Sequence, residues 1–597
     1  MKSLNILLTG LVLLAQVGPG ATQSTVPDWA AGAVWYHIVP ERFRNADPRN
    51  DPVKERVVGD RLKDWQVHPW ASDWYKFQVW ERMRQAPFYE VVKDRRYGGD
   101  LIGVYEAARY LKALGVDVIR LTPIFESPSV LKYDAATFHH VDNNFGEDRE
   151  GDWSIMQSQR EDPEQWETTH ADELFFELVE YVHKLDMRVV LEAVFSYCGR
   201  EFWAFKDLIE NQETSKYKDW FVVLSWDDPF TPDTSEFDYA GWQGNKDLPV
   251  FRQDENGPVA PVKQYIFDST RRWMDPDGDS RLEDGVDGWC IRDAEGLPPQ
   301  FWREWHDLVK SINPEAVTVT LSGSAGAVDG FSEPFDLTDD PDFAKLLDDF
   351  FIHERLSVGA FDAELAKRRA RYGELSHSVL NWLDSPSTAR LSSRIVNART
   401  RPANGGAKAN DRGSYDPRKP NDDERQLQRL IAFFQLTYVG APVIFYGDES
   451  GMWGGPFPDN LKPMMWREFT AEPETYANIR PDLPGESRNV FDVHFYGLYR
   501  VLNKARHENP ALRRGSFEPL LVDDERGLYI FLRKYENNEV LVCVNRSLER
   551  QTVKLKSPWK KGVKFKDYLH KEKHTVKEPF LELDLTKHSG LILVKEK

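Results

Sequence analysis

The apolar residues of the chain follow two alternating spacings. Short, nearly continuous apolar runs are separated by longer stretches in which apolar residues recur every three or four positions. The first spacing is typical of strands buried on both faces, and the second of amphipathic helices. The helical spacing is clear in Leu101, Val104, Tyr105, Ala108 and Leu111. The runs that we predict as strands are residues 33–39, 117–125, 188–197, 287–293, 317–323, 377–385 and 441–449.

This alternation predicts a parallel sheet covered by helices on both faces. The seven runs, with a weak sixth strand near Phe335, fit a (β/α)8 TIM barrel, an α/β fold. The long segment 198–283 follows the third strand and is rich in Trp, Asp and Pro, so we predict an inserted loop-rich domain over the barrel mouth. From residue 506 short alternating runs predict a C-terminal antiparallel β-sandwich domain. We therefore assign residues 24–505 to the barrel and 506–597 to the sandwich.

The N-terminus predicts export. One early lysine, a long apolar run and then small residues indicate a signal peptide at residues 1–23, and hence a secreted or periplasmic protein. An uncleaved anchor is the alternative. No later stretch reaches transmembrane length, so we expect no transmembrane segment after signal removal.

Charge and cysteine content narrow the partners further. The net charge of −20 disfavours nucleic acid and anionic membrane surfaces. The three cysteines, Cys198, Cys290 and Cys543, are too few for a disulfide framework. We expect three free thiols rather than a bridge between Cys198 and Cys290.

Four segments lie at the C-terminal ends of predicted strands, the edge where a barrel of this kind builds its site. They are LEAVFSY (residues 191–197), DGWCIRD (287–293), AVTVTLSGSAGAV (316–328) and LDSPSTAR (383–390). Together with VWYHIVPERF, RRYGGDLIGV, SPSVLKYDAATFHHVDNNFG and FYGDESGMWGG, they resemble the α-amylase superfamily of glycoside hydrolases, in particular its neopullulanase and cyclomaltodextrinase branch. The resemblance covers nearly the whole chain after residue 23. It implies a role in carbohydrate (α-glucan) metabolism.

The chemistry of that family needs one carboxylate as nucleophile and a second as acid and base. The resemblance implies that other residues now occupy the family's catalytic and orienting positions, the acid position being located to within a residue or two. These are Glu192 for an aspartate, Tyr197 for a histidine, Cys290 for an arginine, Arg292 for the nucleophile, Leu321 for the acid, Pro386 for a histidine and Ser387 for an aspartate.

We predict that no residue performs the ordinary retaining reaction. Strand alternation points Asp293 away from residues 290 and 292, and a bulge that turned it inward would not supply the missing acid. Arg292 places a permanent cation beside the anomeric carbon, where positive charge develops in the transition state. At about 4 Å and an effective dielectric near 20, two unit charges interact by roughly 4 kcal/mol, with the wrong sign for catalysis.

Other family features are kept. The resemblance implies sugar contacts from Tyr133, Asp134 and Trp242, although a buried rim tyrosine would give the same pattern at Tyr133. It also implies a Ca²⁺ site, because hard oxygen donors suit calcium. Its ligands are the side chains of Asn45, Asp47, Asn50, Asp51 and Asp100 and the backbone of Gly98. A plain turn is the alternative there. For a second acidic loop, Asp275, Asp277 and Asp279, we favour a solvated turn.

Three functions remain open. The first is a pseudoenzyme that binds an α-glucan or another glycan without cleaving it. The second is an accessory or scaffold subunit that docks another envelope or extracellular protein. The third is an active α-glycosidase or transglycosylase that uses Glu192 or Asp293 in a rearranged way. A non-functional relic is the background alternative.

Overall fold

The computed structural model describes residues 26–58, 62–228, 230, 236–321, 335–398, 415–577 and 579–596. The predicted signal peptide lies outside these residues. Eight parallel strands form the central sheet. These strands, β1 to β8, are Trp35–Ile38, Val118–Leu121, Arg188–Ala193, Gly288–Arg292, Val317–Leu321, Leu337–Thr338, Leu380–Trp382 and Ala441–Phe445.

The strands are arranged as a barrel in the order β6-β5-β4-β3-β2-β1-β8-β7. A parallel bridge between Asp339 and Leu380 connects the two ends of this order and closes the ring. The predicted (β/α)8 fold is confirmed, including the weak sixth strand. Its two residues pair with β5 through Val319–Leu337 and Thr320–Thr338.

Helices surround the barrel and bury their apolar faces against it. The helix Leu101–Leu114 shows how the sequence sets its ends. The Asp100 side chain accepts a hydrogen bond from the Gly103 amide at the start, and Gly115 ends the helix in the left-handed region, with φ 89°. The other long helices are Arg149–Ser158, His170–Lys184, Trp203–Asn211, Ala260–Met274, Pro299–Ile312, Val358–Tyr372, Asp422–Thr437 and Val493–Glu508. Shorter helices are Pro40–Phe43, Lys54–Val57, Val79–Met83, Phe88–Val91, Pro341–Leu347, Leu391–Val396 and Pro510–Arg514.

Alternation along the strands separates two cores. One set of side chains fills the barrel interior, including Trp35, Val118, Val190 and Cys290. The other set faces the helices; Trp289 belongs to it and packs near Phe195 and Trp305. Towards the C-terminal end of the strands the interior becomes polar, and there the candidate site lies.

The connection from β3 to β4, residues 194–287, carries small elements of its own. Within its described residues are three two-stranded antiparallel sheets and, at the end, the helix Ala260–Met274, which contacts the helix Pro299–Ile312. The small sheets pair Val223–Ser225 with Asp238–Tyr239, Gly241–Trp242 with Asn245–Pro249, and Gln253–Asp254 with Gly257–Pro258.

The C-terminal domain is antiparallel, as predicted, and its first strand begins at Ser516. Residue 506, our boundary from the sequence, lies inside the helix Val493–Glu508. Strands β9 to β16 are Ser516–Asp523, Leu528–Tyr535, Asn538–Asn545, Gln551–Lys556, Lys564–Asp567, Lys573–Thr575, Phe580–Leu585 and Ser589–Lys595. Six form one sheet in the order β9-β10-β11-β16-β13-β14, and β12 pairs with β15 in the second.

Two further sequence predictions concern the whole chain. Cys198, Cys290 and Cys543 are buried free thiols. Among the helices of the described residues, none combines the length and the apolar character required to cross a bilayer.

Candidate functional site

Glu192, at the end of β3, is the centre of a buried charged cluster at the barrel mouth. Its Oε1 accepts hydrogen bonds from Arg292 Nε and from the Tyr133 hydroxyl, both at 2.8 Å. Its Oε2 accepts from Arg120 Nη2 at 2.5 Å and lies 3.5 Å from His37 Nε2. The Glu192, Arg120 and His37 side chains are fully buried, while that of Arg292 is 22% exposed. We call these five residues the Glu192 cluster.

The cluster fixes the charge state of its members. Burial opposes ionisation of Glu192, but the Arg120 and Arg292 guanidinium groups outweigh it and hold the pKa of this carboxyl well below its usual value. Burial and the neighbouring Arg120 lower the pKa of His37 to about 4. Glu192 is therefore a permanent carboxylate at neutral pH and His37 is neutral. A carboxyl in this state cannot donate a proton to a leaving group.

The two positions implied for the family's nucleophile and acid lie side by side. Arg292 on β4 is in register with Leu321 on β5. Leu321 is 3% exposed and belongs to the apolar interior of the barrel. Beneath them Cys290 is fully buried, and burial raises the pKa of its thiol to about 12. The remainder of the third segment, residues 322–328, lies outside the described residues.

Asp293 is held away from the Glu192 cluster by its own contacts. The residue leaves the strand with φ 54°, in the left-handed region. Its carboxylate accepts a hydrogen bond from the Tyr197 hydroxyl at 2.8 Å, and its backbone carbonyl accepts one from Ser196 Oγ at 2.7 Å. Tyr197 and Trp242 then form a tilted pair, with ring centroids 5.4 Å apart. Trp242 is half-buried at the rim of the mouth.

The structure separates the roles of the two neighbours Tyr133 and Asp134. The Arg292 guanidinium lies 4.9 Å from the centroid of the Tyr133 ring, so a cation covers part of this platform. Asp134 Oδ1 accepts hydrogen bonds from the Ser127 and Ser129 hydroxyls. Asp134 therefore stabilises its own loop, while Tyr133 is part of the Glu192 cluster.

The turn at Pro386 and Ser387 is stabilised by backbone contacts. The Asn460 amide donates to the carbonyl oxygens of Ser385, Pro386 and Thr388. Pro386 is buried and Ser387 is exposed. The positions implied for the family's histidine and aspartate thus carry no ionisable side chain here.

Sequence reasoning missed Arg120 and His37 as members of the site. Arg120 is a fully buried arginine in β2, and its guanidinium also lies 4.6 Å from the centroid of the Trp382 ring. The signal was present, because VIRL places a charged residue inside an otherwise apolar strand. Such a residue is almost never fully buried without a partner, and here the partner is Glu192.

The predicted metal ligands converge in the loops before the helix Leu101–Leu114. Asn45 Nδ2 donates to Asp51 Oδ1 at 2.7 Å and to the Tyr97 carbonyl at 3.2 Å. Asp100 Oδ2 accepts from the backbone amides of Ala46 and Asp47. A side chain at Gly98, which has φ 72°, would lie 1.9 Å from Asp51 Oδ1, so the backbone approaches this carboxylate closely.

The electrostatics of this loop fit a bound cation. Burial raises the pKa of both Asp51 and Asp100 to about 6, and the Asp100 charge adds to the effect at Asp51. The buried oxygens Oδ1 of Asn45 and Asn50 accept no hydrogen bond within the described residues. Asp47 differs, since its carboxylate pairs with Arg49 at 2.6 Å. The other predicted ligands form an oxygen-rich cradle that suits Ca²⁺.

The second acidic loop is built as a turn. Carboxylate oxygens of Asp275, Asp277 and Asp279 lie within 4.8 Å of one another, and the latter two residues are exposed. The Ser280 amide points to the Asp275 carboxylate, and Asp279 pairs with Arg281. Asp275 and Asp279 thus each contact neighbouring residues of the loop itself.

Comparison with known proteins identifies the family. The α-amylase catalytic domain model matches residues 37–162 and 166–328, and the α-amylase C-terminal domain model matches residues 515–593. Neopullulanase 2 of Thermoactinomyces vulgaris is 32% identical over 572 residues, which are 95% of this chain and 78% of that protein. A cyclomaltodextrinase of a Bacillus species is 28% identical over 90% of this chain and 76% of its own.

Solved structures agree on the fold. Cyclic α-maltosyl-(1→6)-maltose hydrolase from Arthrobacter globiformis, in complex with that sugar, has a TM-score of 0.67 at 23% identity and covers 95% of this chain and 99% of its own. Ttha1563 from Thermus thermophilus also has a TM-score of 0.67, at 25% identity over 95% and 100%. The closed ring of eight parallel strands defines the class, a (β/α)8 barrel protein. Within it, the chain belongs to the α-amylase family and is related to neopullulanases and cyclomaltodextrinases.

Proposed function

We propose that this member of the α-amylase family binds an α-glucan at the barrel mouth without hydrolysing it. The observation that carries the proposal is the ion pair between Arg292 and Glu192. Arg292 occupies the position that the family resemblance assigns to the nucleophile, and it holds the buried carboxylate of Glu192 at 2.8 Å. With Arg292 at that position there is no nucleophile, and the nearest carboxylate, that of Glu192, is held in the ion pair.

The same contacts argue against an active α-glycosidase or transglycosylase with rearranged catalytic residues. Hydrolysis with retention needs two carboxyl groups about 5 to 5.5 Å apart, one of which must carry a proton. The hydrogen bonds of the Glu192 cluster include no second carboxyl group among the described residues. Asp293 is bonded to Tyr197 and does not contact Glu192. No specific observation favours the protein-docking alternative.

The surface left for a ligand is aromatic. Tyr197 and Trp242 form a pair at the rim, and Tyr133 presents the part of its ring that Arg292 does not cover. Aromatic faces suit the apolar faces of sugar rings. The names of the relatives, neopullulanase and cyclomaltodextrinase, support an α-glucan as the ligand class.

We further propose that Ca²⁺ binds the loop formed by Asn45, Asn50, Asp51, Gly98 and Asp100. Bound there, the ion neutralises the two buried carboxylates. Its role is structural, because it fixes the loop that precedes the helix Leu101–Leu114. Export of the protein is a proposal from the sequence of residues 1–23 alone.

A paired assay tests the proposed function. Maltoheptaose is added to the pure protein, its thermal unfolding is measured, and released reducing ends are assayed with high sensitivity. We expect a rise in Tm and no hydrolysis. Steady release of maltodextrin fragments that disappears in Glu192→Gln or Asp293→Asn overturns the proposal in favour of an enzyme. No Tm response to any α-glucan overturns it in favour of another role.

Restoring the carboxylates gives a second test. We expect the double variant Arg292→Asp/Leu321→Glu to remain inactive, since the segment at Pro386 and Ser387 still lacks the orienting groups. Measurable hydrolysis would show that the pocket retains more of the family's machinery than this proposal allows.

A further inference from the structure

The last strands of the C-terminal domain have a local excess of positive charge. Residues 551–597 contain twelve lysines, no arginine and six acidic residues, a net charge of +6 in a chain whose total is −20. Ordinary protein surfaces intersperse the two signs, whereas segregated charge creates a field that attracts an oppositely charged partner. This segment is unlike the acidic remainder of the protein.

Five of these lysines lie together on one hairpin and its adjoining loop. Lys566 on β13 is directly opposite Lys573 on β14, and Lys564 is on the same face two residues earlier. The loop that carries Lys560 and Lys561 is attached to the hairpin by two backbone hydrogen bonds, Gly562 to Val576 at 3.0 Å and Val576 to Val563 at 2.9 Å. All five side chains are exposed. We call this group the lysine tip.

The lysine tip is poorly neutralised by the protein itself. Like charges directly opposite each other destabilise a strand pair. Within the described residues only Lys573 of the five has an ion pair, with Glu596 at 3.0 Å. Elsewhere in the same domain lysines do find partners, such as Lys577 with Glu582, Lys587 with Asp423 and Lys595 with Glu539.

We propose that the lysine tip binds an anionic polysaccharide, a chain with carboxylate or sulfate groups at regular intervals. Ammonium groups are compact point charges that can each pair with one such group. The exposed ring of Phe580, which is 39% exposed, belongs to β15, a strand that contacts β14 of the hairpin, and it offers a face to a sugar ring.

The chemistry of the tip is less suited to nucleic acid. Phosphate recognition favours arginine, whose fork binds two oxygens, and residues 551–597 contain none. Single-stranded nucleic acid is bound by successive aromatic platforms. Trp559 is not available for that role, because its indole nitrogen donates to Glu539 at 2.6 Å and its ring packs edge-on against Phe565.

A flat anionic membrane also fits less well than a flexible chain. Glu582 and Asp584 are exposed on the neighbouring strand β15, and the rest of the protein is strongly acidic. A planar surface that contacts the tip also faces the acidic remainder of the protein, whose field repels an anionic membrane. A flexible polymer can follow the lysines and avoid the carboxylates.

The test measures binding of fluorescently labelled polygalacturonate by anisotropy, with the full chain, at low and high salt. We expect binding at about 50 mM NaCl that is lost by about 500 mM, because exposed charges are screened. The variant Lys564→Gln/Lys566→Gln/Lys573→Gln should bind at least about tenfold more weakly, since three ionic contacts are removed. Neutral dextran should not bind.

Matched controls separate the tip from net charge and from misfolding. The variant Lys184→Gln/Lys367→Gln/Lys504→Gln removes the same charge from exposed lysines that each have an acidic partner in their own helix, and it should bind as the unmodified protein does. The loop variant Lys560→Gln/Lys561→Gln leaves the hairpin intact and should also bind more weakly.

Three results overturn the proposal. The first is no binding of polygalacturonate or dextran sulfate at low salt, and the second is equal loss in the tip and control variants. The third is tighter binding to oligo(dT) or to phosphatidylserine vesicles, which would reassign the tip. Binding at the lysine tip does not depend on the barrel mouth. The two proposals can therefore fail independently of each other.

Discussion

The Glu192 cluster and the Asp51–Asp100 loop both hold carboxylates that are shielded from solvent, yet their electrostatics are opposite. In the cluster, two guanidinium groups more than compensate the burial of one carboxylate, and the pKa of Glu192 falls. In the loop, burial outweighs the lowering effect of Arg149 on Asp51 and of the backbone amides on Asp100, and the pKa values of both carboxyls rise to about 6. The charges of the first site are balanced by its own side chains, whereas the proposed cation would balance those of the second.

The largest expected effect comes from removing the central carboxylate of the cluster. Glu192→Gln leaves Arg120 and Arg292 buried without their counter-charge, which should cost about 3 to 5 kcal/mol of the free energy of unfolding. Denaturant unfolding measures it. The exposed pair Lys76–Glu472 supplies the control, and Glu472→Gln should cost about 1 kcal/mol or less. Equal effects would mean that the cluster is not the self-contained unit described above.

Calcium removal tests the Asp51–Asp100 loop. A ligand present at about 100 times its Kd stabilises the folded state by about 2.7 kcal/mol, so chelation with EGTA should lower Tm clearly. Asp51→Asn should abolish the response to Ca²⁺. Asp277→Asn, in the exposed acidic loop, should leave it unchanged. A Tm that is indifferent to EGTA and Ca²⁺ would make the loop a plain turn.

The two sites should also respond to pH with opposite signs. The folded pKa of Glu192 is below its ordinary 4.5, so its stabilising contribution is present above that pH and is lost as the pH falls. Asp51 and Asp100 have folded values near 6 against an ordinary 3.8, so without metal the loop loses stability as the pH rises from about 4 to 6. The Tm gain from Ca²⁺ should therefore be larger at pH 7.5 than at pH 5. A Tm gain from Ca²⁺ that decreases with rising pH would contradict the proposal that Asp51 and Asp100 bind the ion.

The smallest effect concerns the aromatic rim. Trp242→Ala should weaken the affinity for maltoheptaose by about 1 kcal/mol, roughly fivefold, because one ring face is lost to the sugar. Titration calorimetry measures the change. Trp29→Ala, on the pocket at the opposite end of the barrel, is the control and should leave the affinity unchanged. Similar losses in both variants would place glucan binding away from the rim.

The sequence predicted the barrel well because buried parallel strands have a strong signal. Even the two-residue strand Leu337–Thr338 was anticipated, since a closed barrel requires it. Strand alternation also explains why Trp289 packs among the helices while its neighbour Cys290 faces the barrel interior. Asp293 lies away from the Glu192 cluster, but its contact with Tyr197 could not be predicted, because its left-handed backbone takes the residue out of the strand pattern.

The site was predictable as a set of positions but not as a set of contacts. Motif register placed Arg292 beside Leu321, yet only the folded barrel brings Arg120 from β2 to Glu192 on β3. The pairing of Asp47 with Arg49 was equally invisible, since a motif gives the residue type and not the direction of its side chain. The Arg120–Glu192 pair is long-range and depends on the tertiary structure, whereas Asp47 and Arg49 form a local pair two residues apart.

The contact between the barrel and the C-terminal sheet has a consequence for how the molecule comes apart. Tyr529 and Phe531 of β10 share one continuous apolar core with Phe361 and Phe434 of the barrel helices, and Arg533 donates to the Thr437 carbonyl. Neither partner keeps a closed hydrophobic surface when the other is removed. The two units should therefore unfold in a single cooperative transition. A chain cut between them should yield two fragments that expose apolar surface and aggregate, rather than two independently folded domains.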